Sequence, residues 1–167
     1  MRGSKLERIV RSRDEARIVL MGVPDVPGVA ATVFSALAER DVAVQMIVQN
    51  NMRGGITDLA FLVHKDQLDD AIFLCRQAAE SVRAQGVSFN TEIACVSLYG
   101  QNLTEAADLP GRMFAALARS GVNIQMIGSN ALSLTCVVAE TAADKAIEAL
   151  HREFLELFEN PELQDPQ

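Results

Sequence analysis

Residues 34–50, FSALAERDVAVQMIVQN, return 80 positions later as residues 114–130, FAALARSGVNIQMIGSN. Nine of the 17 positions are identical, among them Phe34/Phe114, Leu37/Leu117, Val42/Val122 and the whole Gln-Met-Ile at 45–47 and 125–127. Self-similarity at a fixed shift marks one structural unit used twice.

Working outward, each copy has the same order of elements. An apolar strand opens it, Ile18–Val23 in the first and Ile93–Tyr99 in the second. A helix follows, because Ala30, Val33, Phe34 and Leu37 recur at one-face spacing and Met113, Phe114 and Leu117 repeat that stripe. Alternation at Val122-Asn123-Ile124-Gln125-Met126 predicts a strand covered on one face. Hairpin loops are expected at Asn51-Met52-Arg53-Gly54-Gly55 and at Gly128-Ser129-Asn130, with returning strands at 58–63 and 132–138. Second helices carry the stripes Leu68, Ala71, Ile72, Cys75, Ala79, Val82 and Ala143, Ala146, Ile147, Leu150, Phe154. Asp66 and Thr141, each with an acid three residues on, are the expected N-caps of those helices.

The order strand, helix, hairpin, helix, strand predicts an α+β chain of two ferredoxin-like βαββαβ units, each an antiparallel sheet with both helices on one face. Val87–Thr91 supplies the fourth strand of the first unit. The second lacks one, since the chain after Phe158 is polar and broken by proline. Leu6-Glu7-Arg8-Ile9-Val10 is the remaining strand-like segment and is expected to complete the second sheet. The boundaries are then 16–92 for unit 1, 93–158 together with 6–11 for unit 2, and 159–167 as a flexible tail.

Composition narrows the function. With 49% hydrophobic residues the chain can bury a core, while a formal charge of −7 and no Lys/Arg cluster argue against a nucleic-acid or anionic-membrane partner. No apolar run reaches the length of a membrane span and Met1–Val10 does not resemble a signal peptide, so a soluble, cytoplasmic protein is expected. Cys75, Cys95 and Cys136 are spaced as buried thiols in a reducing compartment, not as metal ligands or disulfides. There are two histidines, His64 and His151, and no phosphate loop, zinc spacing or nucleophile elbow, so no catalytic residue and no metal site are assigned.

The segment Gly22-Val23-Pro24-Asp25-Val26-Pro27-Gly28-Val29-Ala30 turns the first strand into the first helix. Free N–H groups of a first helical turn bind a carboxylate without a basic side chain, and Gly28 permits close approach. Asp25 beside them can hold an α-ammonium group, so both halves of an amino-acid zwitterion are served. Asp25-Val26-Pro27-Gly28 is equally an ordinary tight turn with a helix cap. Gln45, Gln49, Asn50, Asn123, Gln125 and Asn130 form a row of amides that can meet a ligand or merely face solvent.

Over residues 6–157 the chain resembles the regulatory, ACT-domain region of aspartate kinase. The resemblance is carried by Asp14-Glu15-Ala16-Arg17-Ile18, Gly22-Val23-Pro24-Asp25 with Pro27-Gly28, Met46-Ile47-Val48-Gln49-Asn50, Thr57-Asp58, and Val122-Asn123-Ile124 with Met126-Ile127. It implies two intertwined ACT units with the N-terminal strand completing the second. It also implies a homodimer pairing the first unit of one chain with the second of the other, and threonine, lysine or both bound between them. By position, Asp25, Gly28 and Ala30 would hold the effector's main-chain groups, Gln49 would line the pocket, and Asn123 and Ile124 would close it from the partner chain.

Two departures matter. Pro110-Gly111 stands three residues beyond the position equivalent to Pro27-Gly28, and Gly128-Ser129-Asn130-Ala131 lacks the acid that the family places there to meet a lysine. Threonine is therefore the expected effector, lysine the less favoured one, with no cofactor. The kinase domain is absent from this stretch, so the resemblance implies a non-catalytic regulatory subunit working with a catalytic (alpha) subunit in feedback inhibition of lysine, threonine and methionine biosynthesis. The alternative is a free-standing ACT amino-acid sensor regulating a different enzyme or a transcriptional partner.

Overall fold

The structure, a computed structural model, describes residues 5–51 and 53–158. The described residues divide into two compact units, one formed by Asp14–Thr91 and the other by residues 5–13 and 92–158. The tail expected at 159–167 lies outside the described residues.

The first unit runs β2 (Glu15–Pro24), α1 (Val29–Glu39), β3 (Val44–Asn51), β4 (Ile56–His64), α2 (Leu68–Val82) and β5 (Gly86–Asn90), with strand order β3-β4-β2-β5. The second runs β6 (Ile93–Gln101), α3 (Leu109–Arg119), β7 (Met126–Ser129), β8 (Ser133–Ala139) and α4 (Ala143–Phe154). Its fourth strand is β1 (Lys5–Ser12), and the order is β1-β6-β8-β7. All pairings between these strands are antiparallel. The two sheets are thus the same sheet built twice, with β1 standing where β5 stands in the first. Lys5 pairs with Gln101 and Ser12 with Cys95, so the chain's start is laddered along the length of β6 as the strand deficit required.

Alternate residues of each central strand turn to the helices. Ala16, Ile18 and Leu20 of β2 pack with Val33 and Leu37 of α1 and with Ala71, Cys75 and Ala78 of α2. Ala94, Val96 and Leu98 of β6 pack with Met113, Leu117, Leu150 and Phe154, and Leu6 from β1 joins that core with 3% of its surface exposed. The thiols of Cys75 and Cys136 are buried and pushed up to about 12 by loss of solvation, which keeps them neutral and unreactive.

Two local expectations are corrected. The strand expected from Val122 begins only at Met126. Val122 instead closes α3: Gly121 has φ 71, its N–H donates to the Ala118 carbonyl at 3.0 Å, and the Val122 N–H donates to the Leu117 carbonyl at 2.9 Å. This is a Schellman C-cap, whose apolar residue packs back on the helix and so mimics the first residue of an alternating strand. Asp41 and Val42 end α1 the same way, with N–H donation to Ala38 and Leu37, each at 3.0 Å. Nor do Asp66 and Thr141 cap α2 and α4. They lie in 3₁₀ turns, Lys65–Gln67 and Glu140–Ala142, that lead into the helices, and neither helix has a side-chain cap. Asp66 pairs with His64 instead.

Because Leu6 is core rather than cover, Leu6→Ala should cost about 2–5 kcal/mol in urea unfolding, as a partner substitution within the second unit would. Burial also lowers the pKa of His151 below its ordinary value of 6.5. The unfolded chain then takes up this proton more readily, so the contribution is intact above about pH 6.5 and is lost as pH falls below it. Urea curves at pH 7.5 and pH 5 should show a smaller acid loss for His151→Gln than for the unsubstituted chain.

Candidate functional site

In the first unit β2 and β3 are both antiparallel to β4, so they run in the same direction and their carboxyl ends share one edge of the sheet. The chain enters α1 at that edge. Helix N-termini above the carboxyl ends of strands are where small ligands are held in open α/β layers.

Backbone contacts tie this edge together. The Asp25 N–H donates to the Gly55 carbonyl at 2.9 Å, linking the β2–α1 turn to the β3–β4 hairpin. The Gly22 N–H donates to Asp58 Oδ1 at 2.8 Å, and the buried Thr57 hydroxyl donates to the Asn50 carbonyl. Gly22 has φ 59, and a Cβ there would fall 2.2 Å from the Gln85 side chain, so no other residue fits without displacing it. Thr57, Asp58 and Gly22 thus tie this edge together through contacts to backbone. In the sequence Gly22 stands out as the start of the strand-to-helix turn segment and Thr57-Asp58 only through the family resemblance.

Gly28 is the N-cap of α1 with φ 93 and ψ −14, and no side chain caps the helix. Its carbonyl accepts both the N–H and the hydroxyl of Thr32 at 3.0 Å, which starts the helix while leaving the amide edge of the first turn outward. Asp25, Gly28 and Ala30 are exposed. Gln49, also exposed, pairs with Leu59, a residue of the helix-side core, so its amide lies on the face that carries α1.

The structure therefore places Asp25, Gly28, Ala30 and Gln49 at one end of one unit. Asn123 and Ile124 belong to the other unit, in the loop between α3 and β7, where Asn123 is exposed and Ile124 packs partly into that unit's core. The expected row of amides is broken: Gln45 and Asn50 pair with Leu62 and Asp58 and so face away from the helices. Asn130 is structural, its side-chain oxygen accepting the N–H groups of Leu132 and Ser133 at 2.8 and 2.9 Å.

At the matching edge of the second unit the turn differs. A 3₁₀ turn at Leu103–Glu105 precedes α3, Pro110 sits in its first turn, and a cavity of about 180 Å³ lies between that turn and Ser129, Asn130 and Ser133.

Comparison with known proteins agrees with this architecture. The ACT domain model matches residues 18–78 and 96–154. The regulatory subunit of aspartate kinase from Thermus thermophilus, in its ligand-free form, superposes with a TM-score of 0.86 at 33% identity, over 90% of this chain and 99% of that one. A chain of a structure of aspartokinase alpha and beta subunits gives a TM-score of 0.84 at 29% identity, with the same coverage of 90% and 99%. An aspartate kinase of Pseudomonas fluorescens is 37% identical over 146 residues, 87% of this chain and 35% of that protein. The chain belongs to the ACT-domain family. Within it, the chain corresponds to the regulatory part of an aspartate kinase and not to the catalytic part, spanning about a third of the length of the curated kinases it matches.

A Cβ at Gly28 would meet nothing within 4 Å, so a substitution there is opposed only by the backbone conformation. Gly28→Ala is expected to cost about 1–2 kcal/mol in urea unfolding, with the cooperativity of the transition unchanged.

Proposed function

We propose that this chain is the non-catalytic regulatory subunit of an aspartate kinase, binding threonine as a feedback effector. The observation that carries the effector reading is the uncapped first turn of α1, with exposed Asp25 in the turn that leads into it and exposed Gln49 on the helix-side face of β3. The turn's N–H groups and the positive helix end receive the effector carboxylate, Asp25 receives its ammonium, and Gln49 can donate to and accept from a hydroxyl. A threonine needs no more than that. Lysine would need an acid for its side chain, and Gly128-Ser129-Asn130-Ala131 offers none.

The working form in this reading is a homodimer in the cytoplasm. Asn123 and Ile124 of the partner subunit close the site over the effector. Edge-strand exposure supports pairing with a second copy: Ile47 on β3 and Ile127 on β7, equivalent in the repeat, are 52% and 46% exposed. Effector held across two chains favours one arrangement of the assembly, and the catalytic alpha subunit follows it to an inactive state in proportion to the difference in affinity. Lysine, threonine and methionine synthesis would all be throttled at that step.

Isothermal titration calorimetry with threonine, lysine and methionine tests this. Threonine should give saturable heat that Asp25→Ala and Gln49→Ala each weaken by about tenfold or more, with melting temperatures unchanged. Lysine binding as tight as threonine binding removes the specificity argument, and no heat from any of the three removes the effector reading while leaving the family assignment in place.

A further inference from the structure

Four non-glycine residues among those described have positive φ: Asp41, Met46, Arg83 and Asn102. Asp41 and Arg83 end helices and Asn102 follows β6, all places where the left-handed region is ordinary. Met46 alone lies inside a strand, with φ 50. Side chains pay a conformational penalty there that glycine escapes, and strain of this kind tends to collect where function requires a particular geometry.

The register shows what Met46 does. Val44 pairs with Val63 and Gln45 with Leu62, but the next pair is Val48 with Ala60, so β3 takes three steps while β4 takes two. Met46 and Ile47 together face Phe61, a bulge of one extra residue. Val44 and Gln49 are five apart, an odd spacing that puts side chains on opposite faces of a regular strand. Both nevertheless pair with helix-side core residues, Val63 and Leu59. Removing the extra residue would leave the same pairs on either side, so packing of the sheet does not call for the strain. A bulge does, however, bend its strand and raise the local twist. Phe61 opposite it is fully buried and meets Phe34 of α1 edge-on at 5.3 Å, so the bend occurs where α1 is seated.

The second copy provides an internal comparison. There the Gln125 N–H donates to the Val137 carbonyl at 2.7 Å while Met126 is the residue paired with Val137, again two residues against one at the same Gln-Met-Ile. No left-handed residue is needed there, and the position equivalent to Gln49 is Ser129. Strain accompanies the copy that carries the long amide.

We propose that the left-handed bulge at Met46 aims the Gln49 amide at the first turn of α1, which makes Met46 a positioning residue for the effector site. The inference rests on the effector reading above. Its test is threonine calorimetry and thermal melting on the full chain with Met46 deleted, with Met46→Gly, with Met46→Val, with Gln49→Ala, and with the deletion and Gln49→Ala combined.

Deletion of Met46 should melt cooperatively within a few degrees of the unsubstituted chain yet bind threonine roughly tenfold more weakly. Met46→Gly, which suits positive φ, should keep the affinity and melt no lower, whereas Met46→Val, which does not, should lose affinity as the deletion does. That point variant decides the matter if the deletion fails to fold. Because Met46 acts through Gln49, the combined variant should bind no worse than Gln49→Ala alone, a non-additivity that general weakening of the fold does not produce. Full affinity in both the deletion and Met46→Val, or losses that add in the combined variant, overturns the proposal and leaves the effector reading standing. No threonine heat from the unsubstituted chain overturns both.

Discussion

Pairing of β1 with β6 is the constraint on which the second unit depends. A βαββα segment without a fourth strand leaves one side of its central strand unpaired and part of its helix-side core uncovered. Here the missing strand comes from the other end of the chain, and Leu6 enters the same buried cluster as Leu98 and Phe154. Lys5 approaches β6 so closely that a Cβ on Gly100 would fall 1.9 Å from its carbonyl oxygen, which ties the sequence of β6 to the presence of β1. The first unit is therefore inserted, in chain order, between two pieces of the second.

At the candidate site the division of labour follows from the direction of the strands. Because β2 and β3 end at one edge and α1 begins there, the uncapped amides of the first helical turn, Asp25 and Gln49 are carried at that edge. The Asp25–Gly55 and Gly22–Asp58 hydrogen bonds hold the turn against the hairpin, so the groups of the proposed effector site are carried on backbone that is already fixed. In the proposed effector reading, such pre-ordering would reduce the entropy lost on binding a small zwitterion.

Much of this was legible in the chain. Helical stripes survive in sequence because a helix buries residues at a period set by its own geometry, and the 80-residue repeat made each assignment serve twice. Val122 was misplaced for a physical reason: a Schellman cap asks for an apolar residue just past the helix, the same residue type that begins a buried strand. Asp66 and Thr141 satisfy the spacing of a capping box, but intervening 3₁₀ turns carry the chain into each helix without them. Asn130 looked like one more exposed amide, and only its closure of the β7–β8 turn shows where its oxygen is used.

By itself, then, the sequence determined the two units, their helix-side cores and the need for a strand from the N-terminus, since these follow from periodicity and from counting strands. Tertiary structure alone decided which amides share a face. A bulge at Met46 and Ile47 changes the parity of every later residue in β3, turning Gln49 toward the helices and Asn50 away from them. Nothing in the composition of Val44–Asn51 announces this, because the extra residue is defined only by the partner strand it fails to match.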